Sequence, residues 1–308
     1  TYSDGKLYTR VHDARVRYVI DAFVQGGGPE SLRIDARPHV GTDRLHGIVD
    51  WMCAEIERLG GCIRWRTRLT GLETASGRLT AARAGEERIE TNCMVLATGA
   101  NAADTFAALR ESGVAMEPKP FQMGLRIEHP RELIDRAIYG KYAGHERLGA
   151  ADYVLSDGTV TSFCVCPGGT LVPSVSESGC VCTNGMSGSA RDTAYTNGAL
   201  VATVSPPTTG DDPLSRIEFQ RRWERAAFRL AGGDYSAPAQ SAPDFLAGVV
   251  RPLRRETSYP LGVRPARLDE ALPEAVAEAI RCALPRFERR LRGFAGPTAV
   301  LTGPEARA

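Results

Sequence analysis

The stretch CMVLATGAN, Cys93–Asn101, decides the fold expected of this chain. Its first five residues are small or apolar and include the β-branched Val95, so they predict a short buried strand. Gly99 ends this run and permits both a sharp turn and a close approach of the backbone to a ligand. A helical pattern over 101–112 follows at once. A buried strand that leads through a glycine turn into a helix indicates an α/β domain.

The composition excludes several classes of protein. The chain has 308 residues, a formal net charge of +1 and 43% hydrophobic residues, which allows two globular domains. Because the charge is nearly neutral and no apolar run approaches the ~20 residues that cross a bilayer, we expect no nucleic-acid partner and no membrane partner. Eight cysteines are too few for a disulfide scaffold. Cys53, Cys93 and Cys282 lie in apolar patterns, as reduced core thiols do, which favours a cytoplasmic protein.

Before the deciding stretch, the chain alternates helical and extended patterns. Apolar spacing predicts a helix over 43–59 with Thr42 as its N-cap. Its buried face comprises Leu45, Ile48, Met52 and Ile56. Alternation over 63–69 predicts a half-exposed strand, and turn signals at 76–77 and 85–86 predict a β-meander. We expect the helix to pack on a sheet that contains 95–97.

After residue 113 the pattern changes to a second, mixed α+β region. Prolines separate short strands, including one over 123–128, and helices are predicted after Pro130, Pro213 and Pro273. Proline lacks the N–H that a helix interior needs, so Pro285 should end the last of these helices.

These segments carry motifs that resemble a flavoprotein family. GTDRL at 41–45, ERLGG at 57–61, RTRL at 66–69 and VLATG at 95–99 resemble the FAD-binding domain of two-dinucleotide-binding-domain flavoproteins. A closer resemblance is to the uncharacterised FAD-dependent dehydrogenases related to aminoacetone-oxidase-like flavoproteins. It is carried by SDGKL at 3–7, KPF at 119–121, RIEHP at 126–130, GH at 144–145, SFCVCPGG at 162–169, TNGMS at 183–187 and DFL at 244–246.

The resemblance implies the fold and its division. We expect an α/β fold with a partial FAD-binding, Rossmann-like domain and its β-meander over 1–112. A substrate or cap domain over 113–298 and a return toward the first domain over 299–308 complete the division. The family's G-x-G-x-x-G turn, which holds the pyrophosphate at a helix N-terminus, has no counterpart here, and neither has the ribose-binding carboxylate about 20 residues later. The family's C-terminal segment that closes over the flavin is also missing, so we expect an internal fragment that binds FAD weakly or not at all.

The implied function is that of an FAD-dependent oxidoreductase, a dehydrogenase whose flavin accepts a hydride from a small-molecule substrate held between the domains. NAD(P)H or another electron donor or acceptor is the further partner that this chemistry allows. Two alternatives remain open, namely a non-enzymatic, cysteine-rich metal-binding module and an inert truncated fragment.

The resemblance also implies two sets of site residues. The cofactor-binding positions are Ser3, Asp4, Gly5, Lys6, Leu69, Ala97, Thr98 and Gly99. The substrate-pocket positions are His39, Thr42, Asp43, Pro167, Gly168, Gly169, Asn184, Gly185, Met186 and Arg191. Lys6 would place a cation near N1 and O2 of the flavin, where the reduced ring is negative. Each of these segments also has an interpretation that involves no ligand. Residues 3–6 can form a surface turn, and 97–99 can be the plain end of a strand. Residues 42–43 can cap a helix, and 184–191 can form a β-turn with a surface arginine.

Two Cys-x-Cys pairs, at 164/166 and 180/182, permit different interpretations. Four thiolates can bind zinc or an iron–sulfur cluster, but residues two apart in a strand also share a face for ordinary packing. Only the first pair matches the family, so we expect no metal site. Pro167 and two glycines predict a tight turn that presents Cys166 to the cleft. Cys166 and Lys6 are therefore the candidate catalytic residues, with Cys166 either a redox thiol or a pocket wall.

Overall fold

The computed structural model describes residues 3–7, 9, 11–99, 101–175, 177–205 and 212–306. The helices in that part are α1 Arg15–Gln25, α2 Thr42–Arg58, α3 Ala103–Glu111, α4 Arg131–Tyr139, α5 Ser215–Leu230, α6 Ala242–Ala247 and α7 Glu274–Arg290, with 3-10 turns at Glu30–Arg33, Gly140–Tyr142 and Leu268–Ala271. The strands are β1 Gly71–Ala75, β2 Arg78–Ala84, β3 Glu87–Glu90, β4 Phe121–Pro130, β5 Val160–Cys166, β6 Thr170–Pro173, β7 Thr183–Met186, β8 Tyr195–Val204, β9 Ala237–Ser241, β10 Val263–Pro265 and β11 Val300–Glu305.

A six-stranded mixed sheet forms the centre of the fold. Its strand order is β10-β9-β11-β4-β8-β5, and all neighbours are antiparallel except β9 and β10. The two long strands β4 and β8 pair along their whole length, from Phe121 opposite Val204 to Pro130 opposite Tyr195. Helix α7 covers this sheet with Ile280, Leu284 and Phe287, all fully buried. Each such side chain contributes about 1.5–3 kcal/mol by leaving water.

The predicted β-meander is confirmed. Strands β1, β2 and β3 form a three-stranded antiparallel sheet in chain order. Ser76 and Gly77 join the first two strands, and both have positive φ, +50° and +74°. Such a two-residue turn matches the right-handed twist of the paired strands. The strand expected over 123–128 and the helices expected after Pro130, Pro213 and Pro273 are also present.

The deciding stretch itself does not form the expected strand. Residues 93–99 lie outside every strand of the described chain, and Val95 is 88% exposed. A strand is stable only when a neighbour satisfies its backbone N–H and C=O groups, and no described strand pairs with this segment. The strand expected over 63–69 is wrong for the same reason, and Trp65 is 69% exposed. The described residues form an α/β fold with a mixed sheet.

Helix α2 is present but packs differently from the expectation. It buries Leu45 and Ile48 in a small cluster with Leu32 and Val40, and not on a sheet that contains 95–97. Ile56 is 47% exposed. Thr42 is the first helical residue and not the N-cap, because its hydroxyl donates to the carbonyl of Ser3 instead.

Two further expectations, the end of the last helix at Pro285 and the burial of three cysteines, are not met. Pro285 lies inside α7, which continues to Arg290. The helix loses one backbone hydrogen bond there, but its buried face extends past the proline to Phe287.

Cys93 and Cys282 are exposed and not core thiols, while Cys53 is half-buried. Within the described residues, no helix has the length and apolar character needed to cross a membrane.

Candidate functional site

The N-terminal segment brings Lys6 against the end of β5. The segment is held by a bridge between Lys6 and His39 and by a 2.9 Å hydrogen bond from the Leu7 N–H to the Pro38 carbonyl. The Lys6 ammonium nitrogen then lies 3.4 Å from Cys166 Sγ and 3.6 Å from Cys164 Sγ. Burial alone would lower the pKa of Lys6, but the negative charge around the two sulfurs and Asp4 raises it above its usual range. Lys6 is therefore a permanent cation.

Asp4 holds this lysine and ties the segment to the rest of the chain. Its carboxylate lies 2.6 Å from the Lys6 ammonium and accepts hydrogen bonds from the N–H of Ser187 at 2.5 Å and from its hydroxyl at 2.7 Å. His39 Nε2 lies 3.5 Å from the same carboxylate. Burial alone would raise the pKa of Asp4, but the contacts with His39, Lys6 and Ser187 lower it well below its usual range.

Cys164 sits in a bulge of β5. The register of β5 against β8 shifts between Phe163 and Cys166, and Cys164 has a φ of +45°. A side chain in this left-handed region costs about 1–3 kcal/mol, and such strain is found preferentially at functional sites. The bulge lets both sulfurs approach the same lysine, instead of lying at the spacing of a flat strand.

The two thiols of the bulge titrate in opposite directions. A hydrogen bond from Cys166 lowers the pKa of Cys164 to about 5, against the effect of burial and with help from Lys6 and Arg126. The same hydrogen bond raises the pKa of Cys166, whose burial raises it further. A low-pKa thiol beside cations is the nucleophilic form of cysteine. The surroundings of the pair thus favour the thiolate form of Cys164 and the protonated form of Cys166.

Arg126 is a second buried cation beneath the bulge. Its Nη1 donates to the Cys164 carbonyl at 2.9 Å and to Asn197 Oδ1 at 3.1 Å, and its Nε donates to Glu305 at 2.7 Å. Asn184 accepts from Nη2. Burial alone would lower the pKa of Arg126, but Glu305 raises it above its usual range. A fully buried guanidinium with partners at each nitrogen fixes the backbone of β5 at the reactive residue.

A cavity of about 860 Å³ opens beside this cluster, with Lys6 and Cys164 on its wall. Arg191 also lines it and has a φ of +49°, so two of the five non-glycine residues with left-handed φ in the described chain meet here. The Nε of Arg191 and the hydroxyl of Tyr153, another wall residue, are buried without a hydrogen-bond partner among the described residues. Both atoms are enclosed by the protein, and the Tyr153 hydroxyl lies against Gly198 of β8, so neither is a donor that is open to the cavity.

The tight turn after Cys166 does not line this cavity. Pro167, Gly168 and Gly169 are buried. A Cβ on Gly168 would lie 1.8 Å from the Arg191 carbonyl oxygen, and the turn therefore packs directly against the backbone of a cavity residue. Cys166 is fully buried at the end of β5, so the expectation that a loop presents it to a cleft is wrong.

The other predicted pocket residues mostly hold the site together. Asn184 binds Arg126, and a Cβ on Gly185 would lie 2.0 Å from Asn197 Oδ1 and 2.8 Å from Arg126 Nη1. Met186 pairs with Thr170 in the β6–β7 ladder. Only a glycine at 185 leaves room for the buried guanidinium.

The start of α2 docks on the loop after β7. Asp43 accepts hydrogen bonds from the Ser189 N–H at 2.6 Å and from its hydroxyl at 2.7 Å. The Thr42 N–H donates to the Ser187 carbonyl at 3.0 Å. Thr42 and Asp43 thus join two parts of the chain, whereas His39 belongs to the Lys6 cluster through Asp4 and Ser187.

Sequence reasoning missed Arg126 and Cys164 as site residues. Arg126 had a signal, because an arginine inside the apolar run MGLRI of a central strand is buried only when it is fully paired. Cys164 had a weaker one as the partner of Cys166. Leu69 is half-exposed, Ala97, Thr98 and Gly99 are exposed, and none of these four is among the described residues that line the cavity. Their role at a cofactor stays a prediction.

The four-cysteine metal hypothesis finds no support in the geometry. Within the described residues, no group of three or more His, Cys, Asp or Glu side chains is arranged to hold a metal ion.

Comparison with known proteins supplies the family. Residues 120–308, more than half of the chain, match the family model described as FAD-dependent protein, C-terminal domain-like. The chain belongs to this family. The matched region of this FAD-dependent family contains Arg126, Cys164, Cys166 and Arg191, while Lys6 precedes it.

A longer relative covers nearly the whole chain. An uncharacterized protein of Clostridium beijerinckii is 40% identical over 315 aligned positions, which cover 99% of this chain and 59% of that protein. The chain thus spans about three-fifths of the length of this relative.

The two ends of FAD make different demands on the residues at the cavity. Lys6 offers a cation on the cavity wall, which suits the polar edge of a flavin ring. A phosphate cradle would need open backbone N–H groups at a helix N-terminus. The start of α2 is closed, because a Cβ on Gly41 would already lie 2.3 Å from Ser189 N. Lys6 therefore suits the ring, whereas the start of α2 offers the pyrophosphate no open donors.

Proposed function

We propose that the chain is part of an FAD-dependent oxidoreductase whose reacting site is the cavity beside Lys6 and Cys164. Membership of the FAD-dependent family supports the cofactor. The observation that carries the proposal is the buried Lys6 ammonium, held between a carboxylate and two sulfurs on the wall of an 860 Å³ cavity. The flavin, when bound, would supply two-electron chemistry that side chains lack. A Rossmann-like character of 1–112 belongs to the same proposal.

The residues of this chain would bind and orient the reactants. Lys6 stays protonated and stabilises negative charge at the cavity wall, so it does not serve as a base. Arg37 is paired with Asp152 at 3.2 Å, whereas the Arg191 side chain has no ion-pair partner in the described part of the chain. A small-molecule substrate with a carboxylate or similar anionic group would form the ion pair that the Arg191 guanidinium lacks. NAD(P)H, or another electron donor or acceptor, is the second reactant that the proposal requires.

Equilibrium dialysis with FAD and riboflavin tests this proposal. Because the described residues offer ring contacts without phosphate contacts, we expect comparable affinities for the two, with dissociation constants of about 1 mM or weaker. Lys6→Met should weaken both. Lys141→Met, which removes an exposed lysine, is the matched control and should change neither.

Two outcomes would contradict the proposal. Tight binding of FAD without binding of riboflavin would show a phosphate site within this chain. Equal binding by the Lys6→Met variant would place the ring elsewhere. The longer Clostridium relative offers a further check, because the purified protein should show the visible absorbance of a bound flavin.

A further inference from the structure

We propose that Cys164 and Cys166 form a redox-active dithiol that reduces a small disulfide, with Cys164 as the nucleophile and Cys166 as the resolving thiol. This inference goes beyond the proposed function and does not depend on it, because the chemistry uses only thiols of this chain. Its substrate class is a disulfide small enough to enter the cavity of about 860 Å³.

Access distinguishes the two cysteines. Cys164 is half-buried and lines the cavity, so a reagent can reach its sulfur. Cys166 is fully buried and is not among the residues that line the cavity. Only Cys164 can make the first attack, and Cys166 can react only with a sulfur that is already attached to Cys164.

The bulge of β5 brings the two sulfurs close enough for a second attack. In a flat strand, Cα atoms two residues apart are separated by ~6.6 Å, near the upper limit for a disulfide. The left-handed φ of Cys164 breaks this spacing, and both sulfurs lie within 3.6 Å of the same Lys6 nitrogen. The Cys166 thiol donates to the Cys164 carbonyl oxygen at 3.3 Å, which holds the resolving thiol beside the residue that it must attack.

The charges around the pair favour this division. Lys6 and Arg126 favour the thiolate form of Cys164, while Asp4 opposes it. Asp4 pairs with Lys6 and so reduces the stabilisation that the lysine gives to the Cys164 thiolate. The Arg126 guanidinium, which donates to the Cys164 carbonyl, adds stabilisation of its own. Cationic neighbours that stabilise a thiolate are the usual cause of cysteine reactivity.

The reaction is two successive thiol–disulfide exchanges. The Cys164 thiolate attacks one sulfur of the substrate, the substrate S–S bond breaks, and the first substrate thiolate leaves and takes a proton. Cys166 then gives up its proton and attacks the Cys164 sulfur of the mixed disulfide. The second substrate thiol leaves, and a Cys164–Cys166 disulfide remains. Two electrons pass from the two cysteines to the substrate disulfide.

The test uses the aromatic disulfide 5,5′-dithiobis(2-nitrobenzoate), which releases a coloured thiolate at each exchange. The exposed Cys62, Cys93 and Cys282 are first replaced by serine so that they do not contribute. At pH ~6 an ordinary thiol is almost entirely protonated and reacts slowly. We expect a fast release of two coloured thiolates per chain, one in the Cys166→Ser variant and none in the Cys164→Ser variant.

Controls separate the proposal from its alternatives. Cys53→Ser removes another half-buried thiol and should leave the fast phase unchanged. Mass spectrometry of the wild-type product should show one peptide with an internal Cys164–Cys166 disulfide. A fast phase that survives in both Cys164→Ser and Cys164→Ala, or a wild-type chain that releases only one thiolate and keeps the reagent attached, would overturn the proposal. Because no flavin is added, these outcomes are independent of the flavin-binding test.

Discussion

Buried polar residues that lack a full set of partners are the most informative single residues in this chain. His129 in β4 is fully buried, and its Nε2 donates to the Phe294 carbonyl at 2.8 Å, while Nδ1 has no partner among the described residues. Burial, with a smaller contribution from the nearby Arg255, lowers the pKa of His129 to about 4, against the effect of the hydrogen bond to Phe294. Protonating this ring would place an unpaired charge in the core, which is costly.

This pKa predicts a loss of stability in mild acid. Below the unfolded value of ~6.5 the unfolded chain binds a proton at His129 that the folded chain does not bind until about pH 4. The free energy of unfolding should fall by about 2–3 kcal/mol between pH ~7 and pH ~4.5 on account of this residue. Urea unfolding of wild type and His129→Gln across this range measures it.

The comparison of pH slopes isolates His129 from the other titrating groups. The variant should be less stable than wild type at neutral pH but should lose less stability in acid. Parallel curves for the two proteins would mean that His129 takes up its proton over the same pH range in the folded and the unfolded chain.

At the scale of elements, α2 forms where the sequence predicts a helix, but it packs against a different part of the chain from the one expected. Its two isoleucines lie about two turns apart and differ in their exposure to solvent. Ile48 is 1% exposed and Ile56 is 47% exposed. Ile48 packs in the small cluster with Leu32 and Val40. Past Met52, no cluster among the described residues covers the helix, so the helical periodicity continues there without a core.

This difference predicts unequal costs of truncation. Ile48→Ala should lower the free energy of unfolding by about 2–5 kcal/mol, because it removes buried methyl groups and leaves a cavity. Ile56→Ala should cost about 0.5 kcal/mol or less, as surface substitutions do. Chemical denaturation of the two variants gives both values. A loss of several kcal/mol at Ile56 would show that a further element covers this face.

At the scale of the whole molecule, the N-terminal segment and α2 are attached to the second half through a small set of polar contacts. Asp4 accepts from Ser187 and Asp43 accepts from Ser189. Gly41 lets the backbones meet, with a φ of +92° and no space for a Cβ. This attachment delivers Lys6 to the two cysteines, so the integrity of the site depends on it.

Two matched glycine substitutions test the attachment. Gly41→Ala should separate the segment from the loop, and hydrogen exchange should rise over 3–7 and 187–189 while the β4–β8 core stays protected. Gly60→Ala is the control, because its φ of +86° imposes the same backbone strain in open space. It should raise exchange only near the end of α2. Unchanged exchange in the Gly41→Ala variant would mean that Lys6 is held by other contacts.

Local periodicity was sufficient for the helices and the meander. The positions of α2, α4 and α5, the start of α7 and the turn at Ser76–Gly77 follow from apolar spacing, proline and glycine, because helices and hairpins satisfy their hydrogen bonds within a short segment. The strands expected over 63–69 and 93–97 were wrong, because a strand needs a neighbour that local sequence does not supply.

The sequence motifs around Asp4, Lys6 and Cys166 lie close together in the structure, and the chain belongs to a family of FAD-dependent proteins. Their role at a functional site stays a prediction. Only the tertiary structure decided that the pKa of Cys164 is lowered and that of Cys166 is raised. That choice depends on a bulge in β5, on an ammonium 158 residues away in the sequence and on the buried guanidinium of Arg126. Electrostatic effects act through distance in space, and sequence separation does not encode that distance.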